Sequence, residues 1–187
     1  MTRTPVSRRA MGLALAALGT HLGNTTERLP DGSSGWTRLR RVVISDDPAG
    51  RAVVLADGEP SNATVLNGTR ITRLWEAAAV PAKLPLKAGA GAAAGNAYRD
   101  GFRGASFYVA ELPGGARAPV VPMHRNETLD FMAILSGQIV LQTPEQDITL
   151  KGGDTLVLGG SEHSWVNRWE APCLLLFVVL VGTRTGA

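Results

Sequence analysis

The final third of the chain consists of short apolar and β-branched runs that recur at nearly even spacing. Each run is a few residues long, and Gly, Pro or Asp residues separate most runs from the next. Short strands and turns at such intervals are typical of an all-β sandwich or barrel. The 22 Gly and 11 Pro residues are consistent with many turns, and the apolar residues show no helical periodicity. The predicted strands are 124–136, 139–143, 147–150, 155–158, 161–167 and 172–181.

Similar runs upstream predict further strands. The β-branched segments 41–45 and 51–55 flank Asp46-Asp47-Pro48-Ala49-Gly50, whose turn chemistry predicts a hairpin. Strands are also predicted at 69–75 and 106–112. Between these two strands, the segment 77–95 is rich in Ala, Gly, Pro and Lys without helical spacing. We expect a long mobile loop there, of the kind that covers the mouth of a barrel.

Residues 1–35 are predicted to be an N-terminal extension and linker, with one folded domain at 36–187. Ser7-Arg8-Arg9 and the apolar run 10–18 resemble a twin-arginine signal, although glycines interrupt and follow the run. We favour a retained extension and a cytoplasmic protein, and a cleaved signal with secretion is the alternative. The apolar run is too short to span a bilayer, so no membrane partner is expected.

Charge and cysteine content argue against two broad classes of protein: those that bind nucleic acid and those held together by intramolecular disulfides. The net charge is +3 and the basic residues are scattered, so the sequence lacks a stripe that could follow phosphates and no nucleic-acid partner is expected. Cys173 is the single cysteine, which excludes an intramolecular disulfide. Because it lies in an apolar run, we expect a buried, inert thiol.

Two of the predicted strands each present a histidine among polar and aromatic neighbours. In a strand, alternate side chains share a face. This period groups five residues of 123–132 on one face: His124, Asn126, Thr128, Asp130 and Met132. In 161–167 it groups His163, Trp165 and Asn167.

The spacing of these residues resembles the two sequence motifs of the cupin superfamily. The first motif is matched as His124-x-Asn126-x3-Asp130-x6-Gly137, and the second as Gly152-x5-Leu158-x-Gly160-x2-His163-x3-Asn167. Four motif positions differ, where Ala118 replaces a glycine, Asn126 a histidine, Asp130 a glutamate and Leu158 a proline. The stretch 124–130, with His-Arg-x-x-Thr-Leu-Asp, is similar to small single-domain cupins, several of which tailor polyketides and related metabolites.

The resemblance implies an all-β cupin double-stranded β-helix, a jelly-roll barrel, which commonly forms homodimers. It also implies that His124, Asp130 and His163 occupy metal-ligand positions. Two imidazoles and a carboxylate form a facial triad able to hold a divalent metal such as Zn, Fe, Mn or Ni. The other interpretation is metal-free: a buried Asp130 with a raised pKa would act as an acid or base with either imidazole. The sequence leaves both open.

The remaining pocket and core residues are assigned from their position in the predicted strands and from their residue type. Six residues are predicted to contact substrate: Asn126, Met132, Trp165, Asn167, Tyr108 and Met123. Ile134, Leu141, Leu156 and Phe177 are assigned to the core, and Arg125 and Glu127 point outwards, towards solvent or a dimer contact.

These residues support a leading functional hypothesis and two alternatives. The leading one is a lyase, either decarboxylase or dehydratase, or a cyclase that acts on a small apolar biosynthetic intermediate of polyketide type. The alternatives are a non-haem metal-dependent dioxygenase and a small-molecule-binding cupin without catalysis.

Overall fold

The computed structural model describes residues 39–87, 89, 91 and 102–184. The predicted extension and its signal-like run lie outside the described residues, as does part of the predicted loop 77–95. Eleven strands are described, all paired antiparallel: β1 Arg41–Asp46, β2 Ala52–Gly58, β3 Ala63–Leu66, β4 Thr69–Ala77, β5 Ala105–Leu112, β6 Thr128–Ser136, β7 Gln138–Gln142, β8 Asp147–Lys151, β9 Thr155–Gly159, β10 Ser164–Val166 and β11 Cys173–Val181.

The strands form two facing sheets and a separate hairpin. The larger sheet has the order β3-β4-β5-β11-β6-β9, and the smaller has the order β10-β7-β8. The hairpin is β1-β2. The helical content of the described chain is one 3-10 turn, Gly115–Arg117. Among the described residues, no helix is long and apolar enough to cross a membrane. The predicted all-β jelly roll is confirmed.

The core lies between the two sheets because alternate residues of each strand point inwards. On β11, Cys173, Leu175, Phe177 and Val179 are buried in the main apolar cluster. Inward residues of the smaller sheet, including Ile139 and Leu141 of β7 and Trp165 of β10, belong to the same cluster. Packing of the two sheets against each other buries the apolar face of each, and this burial is the main driving force for a sandwich of this kind.

Three details differ from the expected strands. The predicted strand 124–136 is broken, because His124 forms an isolated bridge with His163 and β6 begins at Thr128. The strand β3 was not predicted; its four residues are all exposed at the sheet edge, so it carries no inside-outside alternation. The predicted strand 161–167 shortens to β10, Ser164–Val166.

Candidate functional site

A pocket of about 330 Å³ opens between the inner faces of the two sheets. Strands β4, β5, β6 and β11 supply its walls on one side, and Trp165 of β10 lies on the other. The polar lining residues are Asn67, Thr69, His124, Asn126, Asp130 and His163, and the larger apolar ones include Ile71, Tyr108, Leu112, Val121, Trp165 and Phe177. The pocket is therefore an apolar chamber with a polar end.

The two imidazoles of the polar end are held side by side. The backbone N–H of His124 donates to the carbonyl of His163 at 2.8 Å, and the N–H of His163 donates back at 2.9 Å. The ring centroids are 4.3 Å apart with the planes tilted by 50°. The pair is thus built on main-chain pairing between segments that are distant in sequence.

A local hydrogen bond sets the tautomer of each ring. Nδ1 of His124 lies 2.9 Å from the carbonyl oxygen of Pro122, and Nδ1 of His163 lies 2.8 Å from that of Ser161. Because a carbonyl can only accept, each Nδ1 carries the hydrogen and donates it. In a neutral ring the free lone pair then belongs to Nε2, which is the atom able to accept a proton.

Asp130 is a buried carboxyl group at the same end of the pocket. The residue is 2% exposed, and its Oδ1 atom has no hydrogen-bond partner in the structure. Burial raises the pKa of the Asp130 carboxyl, and the Thr128 hydroxyl and the charge on His124 oppose this only in part. Asp130 consequently holds a proton at higher pH than an exposed aspartate does.

His163 is shifted in the opposite direction. Burial lowers the pKa of the His163 imidazole, and repulsion from His124 lowers it further, whereas the hydrogen bond to Ser161 raises it. The neutral form of His163 is therefore favoured over a wider pH range than in a solvated histidine. The pocket is thus lined by a carboxyl whose pKa is raised and an imidazole whose pKa is lowered.

The three side chains of the predicted triad are not arranged as a three-ligand metal centre. Within the described parts of the chain, no three His, Cys, Asp or Glu side chains are grouped so that they could hold a metal ion. The predicted triad of His124, Asp130 and His163 is therefore brought to one pocket but is not arranged as a ligand set. Asn126 also lines the pocket, and its amide is a poor substitute for an imidazole ligand.

Aromatic rings form a continuous wall behind the polar end. Tyr108 and Phe177 stack with centroids 4.8 Å apart and planes 9° apart. Trp165 meets Phe177 edge to face at 6.5 Å, and His163 meets Trp165 in the same way at 5.9 Å. Phe177, assigned to the core from the sequence, both belongs to the core cluster and lines the pocket.

Three residues predicted to contact substrate lie elsewhere. Met132 packs in the core cluster, and Met123 is 44% exposed outside the pocket lining. The Asn167 amide donates to the carbonyls of Leu112 and Ala171, and its oxygen accepts from the N–H of Trp169, so this side chain tethers loops. The lining residues Tyr108, Asn126 and Trp165 do face the chamber.

The pocket also includes residues that the sequence analysis did not assign. Ile71, Leu112 and Val121 are lining residues with ordinary apolar patterns, and their sequence carries no signal that separates them from core. Phe177 was assigned only to the core, and its place in the pocket follows from its pairing with Tyr108 in the folded sheet.

Comparison with known proteins gives partial matches. No protein-family model matches the chain. Phomopsin biosynthesis cluster proteins C' and D of Diaporthe leptostromiformis are each 40% identical to it over 67 residues, covering 30% of this chain. The match spans only 35% of the length of each of these curated relatives.

Solved structures also match the chain, at low sequence identity. The cupin domain of Schizosaccharomyces pombe Cnp3 is 14% identical with a TM-score of 0.47, covering 76% of this chain and 87% of that one. A putative ethanolamine utilization protein Q from Salmonella typhimurium is 10% identical with a TM-score of 0.43, covering 79% and 99%. A cupin protein from Bacteroides fragilis is 24% identical with a TM-score of 0.36, covering 44% and 71%. The fold assignment rests on the strand pairings of the chain itself.

Proposed function

From the premise that this chain is an all-β jelly roll with one apolar pocket between its sheets, we propose that it is a non-redox lyase or cyclase for a small, uncharged carbonyl compound. One observation carries the proposal: a buried carboxyl whose pKa is raised, Asp130, and a buried imidazole whose pKa is lowered, His163, line the same apolar pocket. Paired groups with pKa values shifted in opposite directions are typical of acid–base catalysis.

A β-hydroxy carbonyl substrate illustrates the chemistry. Nε2 of His163 removes the proton on the carbon next to the carbonyl, and the carboxyl of Asp130 donates its proton to the β-hydroxyl group. The C–O bond breaks, a C=C bond forms, and water leaves. The imidazolium then returns its proton to the Asp130 carboxylate, which restores both groups. In a cyclisation the same base would deprotonate the nucleophile and the same acid would protonate the carbonyl oxygen.

The charge of the lining favours an uncharged substrate. No residue in the lining of this described pocket is lysine or arginine. A substrate carboxylate would therefore lose its hydration without gaining a guanidinium or ammonium partner, which is costly. The lack of a lysine or arginine in this lining therefore favours dehydration or cyclisation over decarboxylation of a β-keto acid.

The shape of the chamber favours a flat, apolar molecule. Its volume of about 330 Å³ is at the small end of ligand pockets, which run from roughly 300 to 1,000 Å³. The stacked rings of Tyr108 and Phe177 and the edge of Trp165 offer planar apolar contact. A substrate of one or two rings would satisfy both features. The partial match to proteins named for a biosynthesis cluster also supports a biosynthetic intermediate.

The dioxygenase hypothesis has no support in the arrangement of these side chains. It required His124, Asp130 and His163 to act as a facial triad, and the donor arrangement described above does not support that ligand set. Binding without catalysis is the remaining alternative, and the experiment below separates it from turnover.

The test is incubation of the full chain with aryl-substituted β-hydroxy ketones, β-keto acids and linear cyclisation precursors, followed by mass spectrometry. We expect loss of water, or ring closure, with the uncharged compounds only, and no effect of a chelator. The variants Asp130→Asn and His163→Gln should each lose roughly 100- to 10,000-fold in rate. The exposed Glu127→Gln serves as the matched carboxylate control and should keep the wild-type rate.

Three outcomes would contradict the proposal. One is turnover that both pocket variants retain in full. Another is ligand-induced thermal stabilisation without any product, which would identify a binding protein. The third is loss of activity on chelation, restored by a specific metal, which would place the chemistry on a metal ion.

A further inference from the structure

The pocket that contains Asp130 and His163 is lined by two further polar residues, Asn67 and Thr69. Asn67 lies in the turn between β3 and β4, and Thr69 is the first residue of β4. Neither residue takes part in the proposed acid–base chemistry. Their position along the strands shows how far they lie from the reacting groups.

Strand register places Asp130 level with the beginning of β5. Asp130 of β6 pairs with Val179 of β11, and Val179 pairs with Ser106, the second residue of β5. Side chains directly opposite one another lie on the same face of a sheet, so these three point into the barrel at one level.

Thr69 lies level with the other end of the same strand. Arg70, the next residue of β4, pairs with Glu111, so continuation of this register puts Thr69 level with Leu112, the last residue of β5. Leu112 is six residues beyond Ser106, which corresponds to about 20 Å at 3.3 Å per residue. The two polar groups therefore lie at opposite ends of an elongated pocket. Side chains at both ends reach inwards and shorten the distance that a ligand must bridge.

The chain between Pro119 and His124 connects the same two ends. A Cβ atom on Gly68 would lie 3.4 Å from the Cβ of Pro119, so the β3–β4 turn lies against Pro119. Five residues later, His124 forms its bridge with His163 at the polar end. Five residues of extended chain span at most about 18 Å. This path therefore gives a pocket length comparable with the one from strand register.

Asn67 and Thr69 offer uncharged hydrogen-bonding groups at the far end. Asn67 is exposed and Thr69 half-buried, and within the described part of the chain neither side chain has a hydrogen-bond partner. An amide offers donors and an acceptor, and a hydroxyl offers one donor and accepts as well. Between the two ends the wall is apolar, formed in part by Ile71, Ala110 and Phe177. The lining thus matches a molecule with an apolar middle and a polar group at each end.

The turn itself accounts for an asparagine at position 67. Asn67 has a φ of +48° and Gly68 a φ of +80°. Positive values at both residues are typical of a type I′ hairpin turn, in which Asn-Gly is strongly preferred. Glycine satisfies the same backbone requirement, so Asn67→Gly removes the amide and keeps the turn.

We propose that Asn67 and Thr69 form a second subsite, which binds an uncharged hydroxyl group at the end of the substrate remote from the reacting carbonyl. The position of the carbonyl, beside Asp130 and His163, is taken from the proposed function, on which this subsite depends. The substrate class is then narrower: an elongated aryl ketone of two rings that carries a phenolic or alcoholic hydroxyl at its far end. Such a hydroxyl can donate to the Asn67 amide oxygen and accept from the Thr69 hydroxyl.

Isothermal titration calorimetry of the full chain with 4-acetyl-4′-hydroxybiphenyl and 4-acetylbiphenyl tests the subsite. Both ketones lack a β-hydroxyl group, so neither can lose water, and they differ only in the distal hydroxyl. We expect the wild-type chain to bind the hydroxylated ketone roughly 3- to 10-fold more tightly, which is the contribution of a neutral hydrogen bond.

Substitutions at the far end should remove this preference. Asn67→Gly and Thr69→Val should each reduce it, and the double variant should bind the two ketones equally. Valine keeps the β-branched shape of threonine in β4 and removes only the hydroxyl. Thr64→Val is the matched control, because Thr64 is exposed on β3 outside the described pocket lining, and it should keep the wild-type preference.

Three results would overturn the subsite. The first is equal affinity of the wild-type chain for the two ketones, and the second is no measurable binding of either. The third is a preference that the double variant retains in full.

Turnover of a matching pair of β-hydroxy ketones, with and without the distal hydroxyl, separates the subsite from the proposed reaction. Asp130→Asn should abolish turnover and keep the preference for the hydroxylated biphenyl ketone. Preferential binding without turnover by the wild-type chain would refute the reaction and support the subsite. Turnover without any preference for the hydroxyl would refute the subsite alone.

Discussion

His124 and His163 are joined by two reciprocal backbone hydrogen bonds, of 2.8 and 2.9 Å, that form an antiparallel bridge outside every named strand. The bridge fixes the spacing of the two imidazoles, and Nδ1 hydrogen bonds to Pro122 and Ser161 orient each ring. The position of His124 therefore depends on the segment that leads into β10 as much as on its own neighbours in sequence. Pocket geometry is coupled to the pairing of these two segments.

Replacement of Asp130 by asparagine should stabilise the protein at neutral pH. The pKa of Asp130 is raised in the folded state, so the folded protein prefers the protonated carboxyl. Wild-type stability from this group is complete below the ordinary value of 3.8 and is lost as the pH rises through the raised pKa. We expect Asp130→Asn to have the higher free energy of unfolding at pH 7 and a difference that shrinks towards pH 3, measured by urea denaturation. A constant difference across this range would contradict the assignment.

Asn167→Ala should destabilise the fold without removing any group from the pocket. The side chain donates to two backbone carbonyls, at 3.2 and 2.9 Å, and accepts from one N–H at 3.0 Å. Loss of these bonds to a buried residue should cost about 2–4 kcal/mol in unfolding free energy. The exposed Gln138→Ala provides the control, with little change expected. A fully stable Asn167→Ala protein with impaired ligand binding would instead indicate a direct role in the pocket.

Gly160→Ala should be more damaging than Gly153→Ala. Both glycines have positive φ, +65° and +95°, so alanine is strained at either position. A Cβ at Gly160 would also lie 2.9 Å from the carbonyl oxygen of Asn126, whereas a Cβ at Gly153 meets nothing within 4 Å. We expect Gly160→Ala to cost about 1 kcal/mol more, seen as a lower denaturation midpoint. Equal denaturation midpoints for the two variants would show that the backbone at Asn126 shifts easily to make room for the new Cβ atom.

The thiol of Cys173 should be unreactive in the native protein. The residue is fully buried on the inner face of β11, and burial raises the pKa of the thiol to about 12. Because the thiolate is the reactive form, iodoacetamide at pH 8 should modify Cys173 only as fast as the protein unfolds. Mass spectrometry of samples taken with and without denaturant measures this. Rapid native labelling would mean that β11 opens locally.

Much of the fold was predictable because sheet strands carry local signals. The inward residues of β11 alternate with outward ones in an apolar run, and turn residues bound the β1-β2 hairpin, so both were identified from sequence. The short strand β3 was missed because all four of its residues are exposed and show no alternation. The break before Thr128 was also missed, since a two-residue period continues through 124–130 although the hydrogen-bonded strand does not.

The sequence located three residues that line the polar end of the pocket, but not how they are arranged. Sequence spacing identified His124, Asp130 and His163, and all three line one pocket. Their identity as metal ligands or as an acid and base depends on distances between separate segments, which no local pattern encodes. Met132 and Asn167 shared the predicted face with these residues, yet the first packs in the core and the second binds backbone groups.

The amino-acid sequence by itself determined the strand-forming segments, the all-β class and the residue types available at the pocket, because these depend on local polarity and turn chemistry. Only the tertiary structure decided that His124 pairs with His163, that Asp130 loses its hydration, and that Asn67 and Thr69 line the same pocket from its far end. These properties arise from contacts between residues far apart in the chain, and such contacts exist only once the sheets have paired.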